Sequence, residues 1–546
     1  IKIAVAFGCE DSSGIRLHYF AAKDFTKNRR TGGIFRVDNT VGDNVQIMIS
    51  DIQSYLPAMR YMLAFNKPEE LTWYWDEPTI TLDYEEHTFH KILQENWQKN
   101  EIPNIILSSA TLPLEEDIHP CIQSFVAKFN STNVMSIVSH DCSKTIPLLD
   151  SNGYVLLPHL VYSEFAKVKL SLKHIKNYQT LLRHFDLKEI TNFIQYVNKH
   201  IEIKDRYKVE NYFEEISEID AISIKRYYLK LLGSLKDNYE KVYNHFKENK
   251  KPFYSSCIKI TTSDSYTLTD GPTIYMANDV EKIANYCLKT AKIPDIILDI
   301  MLKVIEKNEI LRIEIDSLER ELVKNTDEPS AGDNRKGTEG GSRVSKNKKS
   351  SRELPTDKYV KEKEIMAKMA GLRNQLIKLE LDNEFVPNSY EHLKKYDRLE
   401  MNGKAFNSEI EEDIVEKIML LDVEANWKVL LMMGIGVFTN HKNPNAKGYR
   451  DYVAIMKELA QKEQLYLIIA STDYIYGTNY QFCHGYIGKD LENLTQEKAI
   501  QAIGRVGRKN TSGNYSIRLR NNELIHRLFM KSENMIEVNN MNRLFG

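Results

Sequence analysis

Cysteine is scarce in this chain and is never arranged in pairs. The 6 cysteines are scattered through 546 residues without a Cys-x-x-Cys motif, which argues against both a zinc site and a disulfide framework. The sequence also lacks any run of about 18 apolar residues and any signal-peptide pattern at its N-terminus. These absences predict a protein that has no membrane partner and an intracellular location.

Neither sign of charge is in excess. Lys and Arg total 74 and Asp and Glu total 76, which gives a formal net charge of −2. No global basic field therefore attracts nucleic acid, and any such binding must be local. The length leaves room for roughly three or four domains of about 100–200 residues each.

Two acidic residues follow a short apolar and aromatic run. Residues 71–75 predict a buried strand, and Asp76 and Glu77 come directly after it. In open α/β sheets, ligands bind at the carboxyl ends of strands, where carboxylates suit Mg²⁺ chemistry. An Asp-Glu pair is uninformative by itself in a chain with 76 acidic residues, so its meaning depends on its neighbours.

Small side chains follow a second predicted strand, residues 102–107. Ser109, Ala110 and Thr111 stand at the tip of this strand, which we expect beside the first one. A helix cap or a turn is the simpler interpretation, because Ser and Thr favour both.

A third predicted strand, residues 465–470, also ends in polar residues. Ser471 and Thr472 follow it directly, and Gly477 and Asn479 come shortly afterwards. The pattern is again a strand that delivers small and polar side chains to its carboxyl end.

Residues 501–508 space two arginines, Arg505 and Arg508, three positions apart around two glycines, with Gln501 at the start. On a helix this spacing puts both guanidinium groups on one face. Arginine binds phosphate through two donors and stays charged. A solvated helix face is the alternative interpretation.

Taken in order, the four segments resemble motifs of the ATP-dependent helicases and translocases of superfamily 2. The correspondence is motif II at 76–79, motif III at 109–111, motif V at 471–479 and motif VI at 501–508. Residues 271–286 look like the strand and helix that open the family's second motor domain. Residues 434–437 with 477–479 are most similar to the DExH branch, particularly the superkiller-type RNA helicases.

The resemblance implies an α/β fold of two RecA-like parallel-sheet domains that bind ATP and Mg²⁺ between them and act on RNA or DNA. Asp76 would hold Mg²⁺ through water, Glu77 would activate the hydrolytic water, and Arg505 and Arg508 would contact the γ-phosphate. Gln501 belongs to the same motif. The residues implied in coupling and nucleic-acid contact are Ser109, Ala110, Thr111, Ser471, Thr472, Gly477 and Asn479.

The sequence also departs from the family. Motif II reads Asp-Glu-Pro-Thr, a form that points to the divergent helicase-like proteins of large DNA viruses; the intracellular location is then cytoplasmic, nuclear or virion-associated. No Gly-x-x-x-x-Gly-Lys-[Ser/Thr] occurs in the chain, so the loop that cradles the β- and γ-phosphates is missing. We expect either that this motif I lies upstream in a longer protein or that the ATPase is degenerate.

The domain organisation follows from these motifs. We expect the distal part of the first RecA-like domain in residues 1–150 and a helical insertion or linker domain in 151–252. The second RecA-like domain is expected in 253–292 and 418–546, interrupted by an insertion at 293–417. In the helical range, aromatic and basic residues either bind single-stranded nucleic acid or form a core.

Apolar residues in the 293–417 insertion alternate spacings of four and three, the seam of a coiled coil. They run from Ile297 to Leu322 with the polar Asn308 among them, and again from Ile365 to Leu379. We expect an antiparallel hairpin of two helices, about 296–323 and 358–382. Residues 325–357 are rich in Gly, Ser, Lys and charge and are expected to be disordered. The hairpin either packs on the second domain or is an arm for a protein partner or a duplex.

Two other functions remain open. A catalytically decayed, helicase-like scaffold or assembly protein would fit the missing motif I. A translocase that moves along nucleic acid without separating strands would carry the same motifs. Because motor contacts go mostly to the phosphate backbone, the sequence does not choose between RNA and DNA.

Overall fold

The computed structural model describes most of the chain, and its fold is mixed α/β. The described residues are 1–18, 21–22, 25–27, 34–38, 42–130, 133–138, 143–251, 271–327, 355–377, 381–396, 406, 410–439, 447–475, 480, 482–507, 515–532 and 535–546.

The strands are β1 (Ile3–Ala6), β2 (Arg16–Leu17), β3 (Phe25–Lys27), β4 (Ile34–Val37), β5 (Ile47–Ser50), β6 (Thr72–Asp76), β7 (Asn104–Ser108), β8 (Leu148–Leu149), β9 (Thr273–Met276), β10 (Ile435–Phe438), β11 (Leu467–Ala470), β12 (His484–Ile487) and β13 (Ser516–Leu519).

The helices are α1 (Tyr55–Leu63), α2 (Thr88–Lys99), α3 (His119–Phe129), α4 (Pro158–Val161), α5 (Phe165–Asn177), α6 (Leu187–His200), α7 (Val209–Tyr212), α8 (Ala221–Ser234), α9 (Tyr239–Glu248), α10 (Val280–Ala291), α11 (Asp295–Asp327), α12 (Pro355–Arg373), α13 (Tyr390–Tyr396), α14 (Glu412–Met419), α15 (Ala425–Met432), α16 (Lys447–Gln461), α17 (Gln496–Ile503), α18 (Asn522–Phe529) and α19 (Ile536–Phe545). Among the described helices, none combines the length and the apolar character needed to cross a membrane.

The larger sheet has six parallel strands in the order β10-β11-β9-β12-β13-β8. Strands β9, β11, β12 and β13 are buried at every residue. Continuous burial of this kind is typical of parallel strands that are covered on both faces. The predicted parallel sheet is therefore confirmed for this part of the chain.

The larger sheet shares one hydrophobic core with the helices that precede it. Val168 on α5, Phe193 on α6 and Tyr228 on α8 are fully buried in the same cluster as Ile274 on β9. The described part of the range 151–252, predicted as an insertion or linker domain, therefore shares the core of the larger sheet.

Strand β8 lies in the range predicted for the first unit but belongs to the larger sheet. The sequence predicts that residues 1–150 belong to the first unit, but Leu148 and Leu149 pair with Ile517 and Arg518 of β13. A strand of two residues has no periodicity of its own, so its partner depends on a contact far along the chain.

The described residues of the first part of the chain contain three smaller sheets. β1 pairs with β2 and β5, β3 pairs with β4, and β6 pairs with β7 in parallel. The ring of Tyr55 on α1 stacks on Trp73 of β6, and Trp73 stacks on Trp75 of the same strand, with centroid separations of 4.0 and 4.6 Å. The predicted adjacency of the strands that precede Asp76 and Ser109 is confirmed.

Helix α19 packs on a second, smaller hydrophobic core, which contains Tyr55, Trp73, Trp75 and Trp97. The Phe545 ring lies 5.5 Å from Trp75 and 5.2 Å from Trp97, and Asn540 donates two hydrogen bonds of 2.8 Å to backbone carbonyls after β6. The range 418–546 was predicted to lie in the second unit. Its last helix instead joins the core of the first, because its apolar face is buried there.

Helices α11 and α12 form an antiparallel hairpin. Ile315 packs with Ile365 and Met369, as the heptad seam predicts. Asn308 donates to the Ile377 carbonyl at 2.7 Å and accepts from the Ile377 amide at 3.0 Å. The polar residue of the seam thus fixes the register of the two segments.

The hairpin helices differ in length from the prediction. The first runs to Asp327 and the second begins at Pro355, so residues 325–327 and 355–357 are helical although disorder was predicted there; residues 328–354 lie outside the described residues. The second helix ends at Arg373, not near 382, and Asn308 binds the backbone of Ile377 beyond its end. Near the start of α11, the side chains of Met301 and Ile305 are buried in the larger core.

Candidate active site at the strand tips

The predicted motif II and motif III segments meet at the carboxyl ends of β6 and β7. In the register of these strands Asp76 lies opposite Ser108. The Ser109 hydroxyl donates to Glu77 Oε2 at 2.7 Å, and the hydroxyl oxygens of Thr79 and Ser109 lie 3.4 Å apart. The fourth residue of the Asp-Glu-Pro-Thr segment therefore also contacts the neighbouring strand tip.

Glu77 has an unusual backbone conformation. Its φ is 52°, and its amide donates to the Ser108 carbonyl at 2.7 Å. Residues other than glycine rarely adopt positive φ, and conformations of this kind cluster at functional sites. The turn ends the strand and places the Glu77 carboxylate beside Ser109.

The two carboxylates differ in exposure, since Asp76 is exposed and Glu77 is half-buried. Among the described residues, no three His, Cys, Asp or Glu side chains lie close enough together to hold a metal ion. Mg²⁺ often takes one or two carboxylates and completes its shell with waters and substrate phosphates. Asp76 therefore fits an ion held through water, while an all-protein metal cage does not fit.

A cavity of about 840 Å³ opens between β5 and β6 and reaches Asp76 and Glu77. This volume is within the range of small-molecule sites. Tyr74 lines this cavity and pairs in register with Ile106 on β7. The two side chains lie on one face of the β6 and β7 pair and are 59% and 50% exposed. Parallel sheets normally bury both faces, so this face leaves unusual apolar surface in water.

Gln501 on α17 connects the larger core to this site. Its Nε2 donates to Thr111 Oγ1 at 2.7 Å, and the Thr111 amide donates to Ser109 Oγ at 3.2 Å. Ala110 lies exposed between the two hydroxyl residues. A series of hydrogen bonds therefore runs from Gln501 through Thr111 and Ser109 to Glu77.

The arginines of residues 501–508 are only partly described. Arg505 follows α17 and is 8% exposed, whereas Arg508 lies outside the described residues. Just before it, the Gly507 carbonyl accepts hydrogen bonds from Lys144 at 2.9 Å and Arg183 at 3.0 Å. Two cations that the motifs did not identify thus hold the backbone that leads to Arg508.

The residues that resemble motif V stand apart from this group. Ser471 and Thr472 follow β11, and the Ser471 amide donates to the Phe438 carbonyl at 3.3 Å. In the described part of the chain neither residue is hydrogen-bonded to the Glu77 group. Gly477 and Asn479 lie outside the described residues.

Sequence reasoning missed a second connection between the two cores. Lys498 Nζ lies 2.7 Å from Asp83 Oδ2, and the two side chains are 4% and 7% exposed. Burial opposes the charge on Lys498, but attraction to Asp83 raises its pKa overall. One signal was available, because Lys498 precedes Gln501 by three positions and so shares its helix face.

A third buried carboxyl lies beside this pair. Glu537 on α19 is 4% exposed, and burial together with the negative charges of Glu497 and Asp83 raises its pKa well above the usual value. The junction of α17, α19 and the segment after β6 therefore holds more acidic than basic groups.

Comparison with known proteins adds no relative: no protein-family model and no curated protein matches this chain. Its function is therefore inferred from the contacts of its own residues and from the motifs described above.

Proposed function

We propose that this chain is the motor part of a nucleic-acid-dependent ATPase similar to superfamily 2 helicases. Two RecA-like units would use ATP hydrolysis to move along or unwind RNA or DNA. The observation that carries this proposal is the hydrogen-bonded series from Gln501 through Thr111 and Ser109 to Glu77. It joins three of the four predicted motifs across two hydrophobic cores.

Within this proposal Glu77 is the general base. Ser109 fixes one of its oxygens, so the carboxylate is held where it can orient and deprotonate an attacking water. Asp76 would hold Mg²⁺ through water, and the ion would neutralise charge on the phosphates. Arg505 and Arg508 would bind the γ-phosphate as it is transferred, a contact that raises rates by orders of magnitude in related chemistry.

The Gln501 contact would couple nucleotide state to the grip on nucleic acid. A change at the γ-phosphate that moves Arg505 also moves α17, and Thr111 transmits that movement to the strand tip. Ser471, Thr472, Gly477 and Asn479 are then the residues proposed to contact the nucleic-acid backbone.

The phosphate-binding loop is the missing component of this site. The exposed apolar face around Tyr74 and Ile106 adjoins the cavity that reaches Glu77. A phosphate-binding loop, which the sequence of this chain lacks, would lie on this face, where it would cover the exposed side chains and bring backbone amides to the phosphates.

A scaffold without turnover is the second proposed function. The absence of the Gly-x-x-x-x-Gly-Lys-[Ser/Thr] motif from the sequence favours it, and so does the hairpin of α11 and α12, whose outer positions Ile300, Ile310 and Ile313 are exposed. Exposed apolar side chains on such an arm would suit contact with a protein partner.

ATP hydrolysis by the full-length protein, including any residues outside this chain, separates the two functions. Turnover is measured without nucleic acid, with single-stranded RNA and with single-stranded DNA. Stimulation by one polymer supports the motor and names its track, whereas no turnover with any of them supports the scaffold. A strand-displacement assay then distinguishes unwinding from translocation.

A further inference from the structure

A second cavity lies far along the chain from the strand tips, between α6 and α9. Its volume is about 420 Å³, which is within the range of small-molecule sites. The loop at residues 249–251 and part of α4 complete its wall. None of its lining residues belongs to the proposed ATPase site.

Aromatic rings line this cavity. The rings of Tyr196 and His245 are stacked, with centroids 3.8 Å apart and an interplanar angle of 9°. His200 places its ring 5.0 Å from Tyr196. Tyr196 and His245 are half-buried and His200 is exposed, so these rings are more accessible than those of the neighbouring core.

Positive charge surrounds the rings. Lys199, Lys250 and Lys251 line the cavity, against the single carboxylate of Glu189. Lys250 is 3.4 Å from Asp150, whereas Lys199 and Lys251 are exposed. The local charge is therefore positive in a chain whose net charge is −2, as an anionic ligand requires.

Neutral hydrogen-bonding groups complete the set. The side-chain amides of Asn192, Gln195 and Asn249 line the same cavity. Such amides both donate and accept, which suits the edge of a nucleobase. A flat ring, two or more cations and several amides together match one nucleotide with its adjoining phosphates.

We propose that the cleft between α6 and α9 binds a base and its flanking phosphates from single-stranded nucleic acid. The base stacks on an outer face of the stacked Tyr196 and His245 ring pair, while Lys199 and Lys251 contact phosphate. This site rests on the proposed motor function and extends it, because it gives the single-stranded nucleic acid a binding site outside the two segments at the tips of β6 and β7.

The test is fluorescence anisotropy of the full chain with labelled 12-nucleotide single-stranded RNA and DNA, without ATP. Two variants are compared with wild type: Tyr196→Ala removes the stacking ring, and Lys199→Glu reverses an exposed charge. Lys173→Glu is the matched control, since Lys173 is an exposed lysine on α5 that does not line the cleft. Labelled AMP serves as a probe for free nucleotide.

We expect Tyr196→Ala to weaken oligonucleotide binding about 5- to 150-fold, the range for loss of one stacked base. Lys199→Glu should make the fall of log K with log salt shallower by about 0.7, the value for one phosphate contact on a single strand. Lys173→Glu should bind like wild type, and AMP should bind far more weakly than the oligonucleotides.

Equal binding by wild type, Tyr196→Ala and Lys199→Glu would overturn the cleft site and leave the motor proposal standing. Tight binding of AMP with no preference for the strand would also overturn it. Weakened binding by both variants in a full-length protein that never hydrolyses ATP would support the cleft and refute the motor.

Discussion

Lys498 on α17 and Asp83 after β6 form a buried ion pair between the two hydrophobic cores, with Nζ and Oδ2 2.7 Å apart. The Tyr84 hydroxyl also accepts a hydrogen bond from the same ammonium at 3.1 Å. Removal of one partner leaves the other charge buried and uncompensated, which typically costs about 3–5 kcal/mol. The pair therefore stabilises the contact between α17 and the smaller core.

We predict that Lys498→Met destabilises the protein by about 3–5 kcal/mol. Urea unfolding followed by tryptophan fluorescence measures this, since Trp73, Trp75 and Trp97 lie in the smaller core. Lys462→Met is the control, because the 2.9 Å pair of Lys462 with Glu411 is exposed and should contribute about 1 kcal/mol or less. Equal effects of the two substitutions would contradict the role assigned to burial.

The contact of Ser109 with Glu77 predicts graded losses of ATP hydrolysis in the full-length protein. Glu77→Gln should reduce kcat by about 10²–10⁴-fold, the usual contribution of a general base, while nucleotide binding is retained. Ser109→Ala should reduce kcat by roughly ten-fold, because the base is kept but loses a hydrogen bond that orients it.

Steady-state turnover and equilibrium binding of a labelled ATP analogue measure these two effects. Ser217→Ala is the matched control, since Ser217 donates to Glu215 at 3.0 Å on the exposed surface. Normal turnover in Glu77→Gln would remove Glu77 from the proposed chemistry.

The bond between Gln501 and Thr111 predicts a non-additive pair of substitutions. Gln501→Ala and Thr111→Val each remove the same hydrogen bond, so each should reduce nucleic-acid-stimulated hydrolysis by roughly ten-fold, and the double variant should be no slower than either. Stimulated kcat at saturating oligonucleotide is the measurement, with Gln123→Ala on the exposed face of α3 as control. Multiplied effects in the double variant would show that the two residues act independently.

Local patterns in the sequence predicted the elements that bury one face nearby. The aromatic run before Asp76 became β6, and the heptad seam became the hairpin in which Ile315 meets Ile365. In both cases the alternation of side chains determines which face is buried, and the partner is close in the chain or is the adjacent strand.

Long-range partners could not be predicted in the same way. Asp83 and Lys498 are separated by 415 positions, and neither residue type specifies a partner on its own. The docking of α19 on the smaller core is similar, because the apolar face that holds Phe545 fits any suitable core. The sequence predicted only that residues 418–546 belong to the second unit, and the tertiary fold determined which core the last helix joins.

The buried carboxyl of Glu537 gives a pH-dependent prediction. Burial and the charges of Glu497 and Asp83 raise its pKa in the folded protein, so the unfolded chain ionises first as the pH rises. The folded state then binds the extra proton, and stability is lost as the pH rises above the ordinary glutamate value near 4.5. A neutral amide at this position removes that loss.

We therefore predict that Glu537→Gln raises the Tm at pH 8 by roughly 2 °C or more, the change expected for about 1 kcal/mol in a unit of 150–250 residues. The gain should shrink as the pH falls through 4.5, because below this value the wild-type carboxyl is protonated in both states. Thermal unfolding at several pH values measures this, with the exposed Glu523→Gln as control. A gain that does not change with pH would mean that packing, and not the charge on Glu537, limits the attachment of α19.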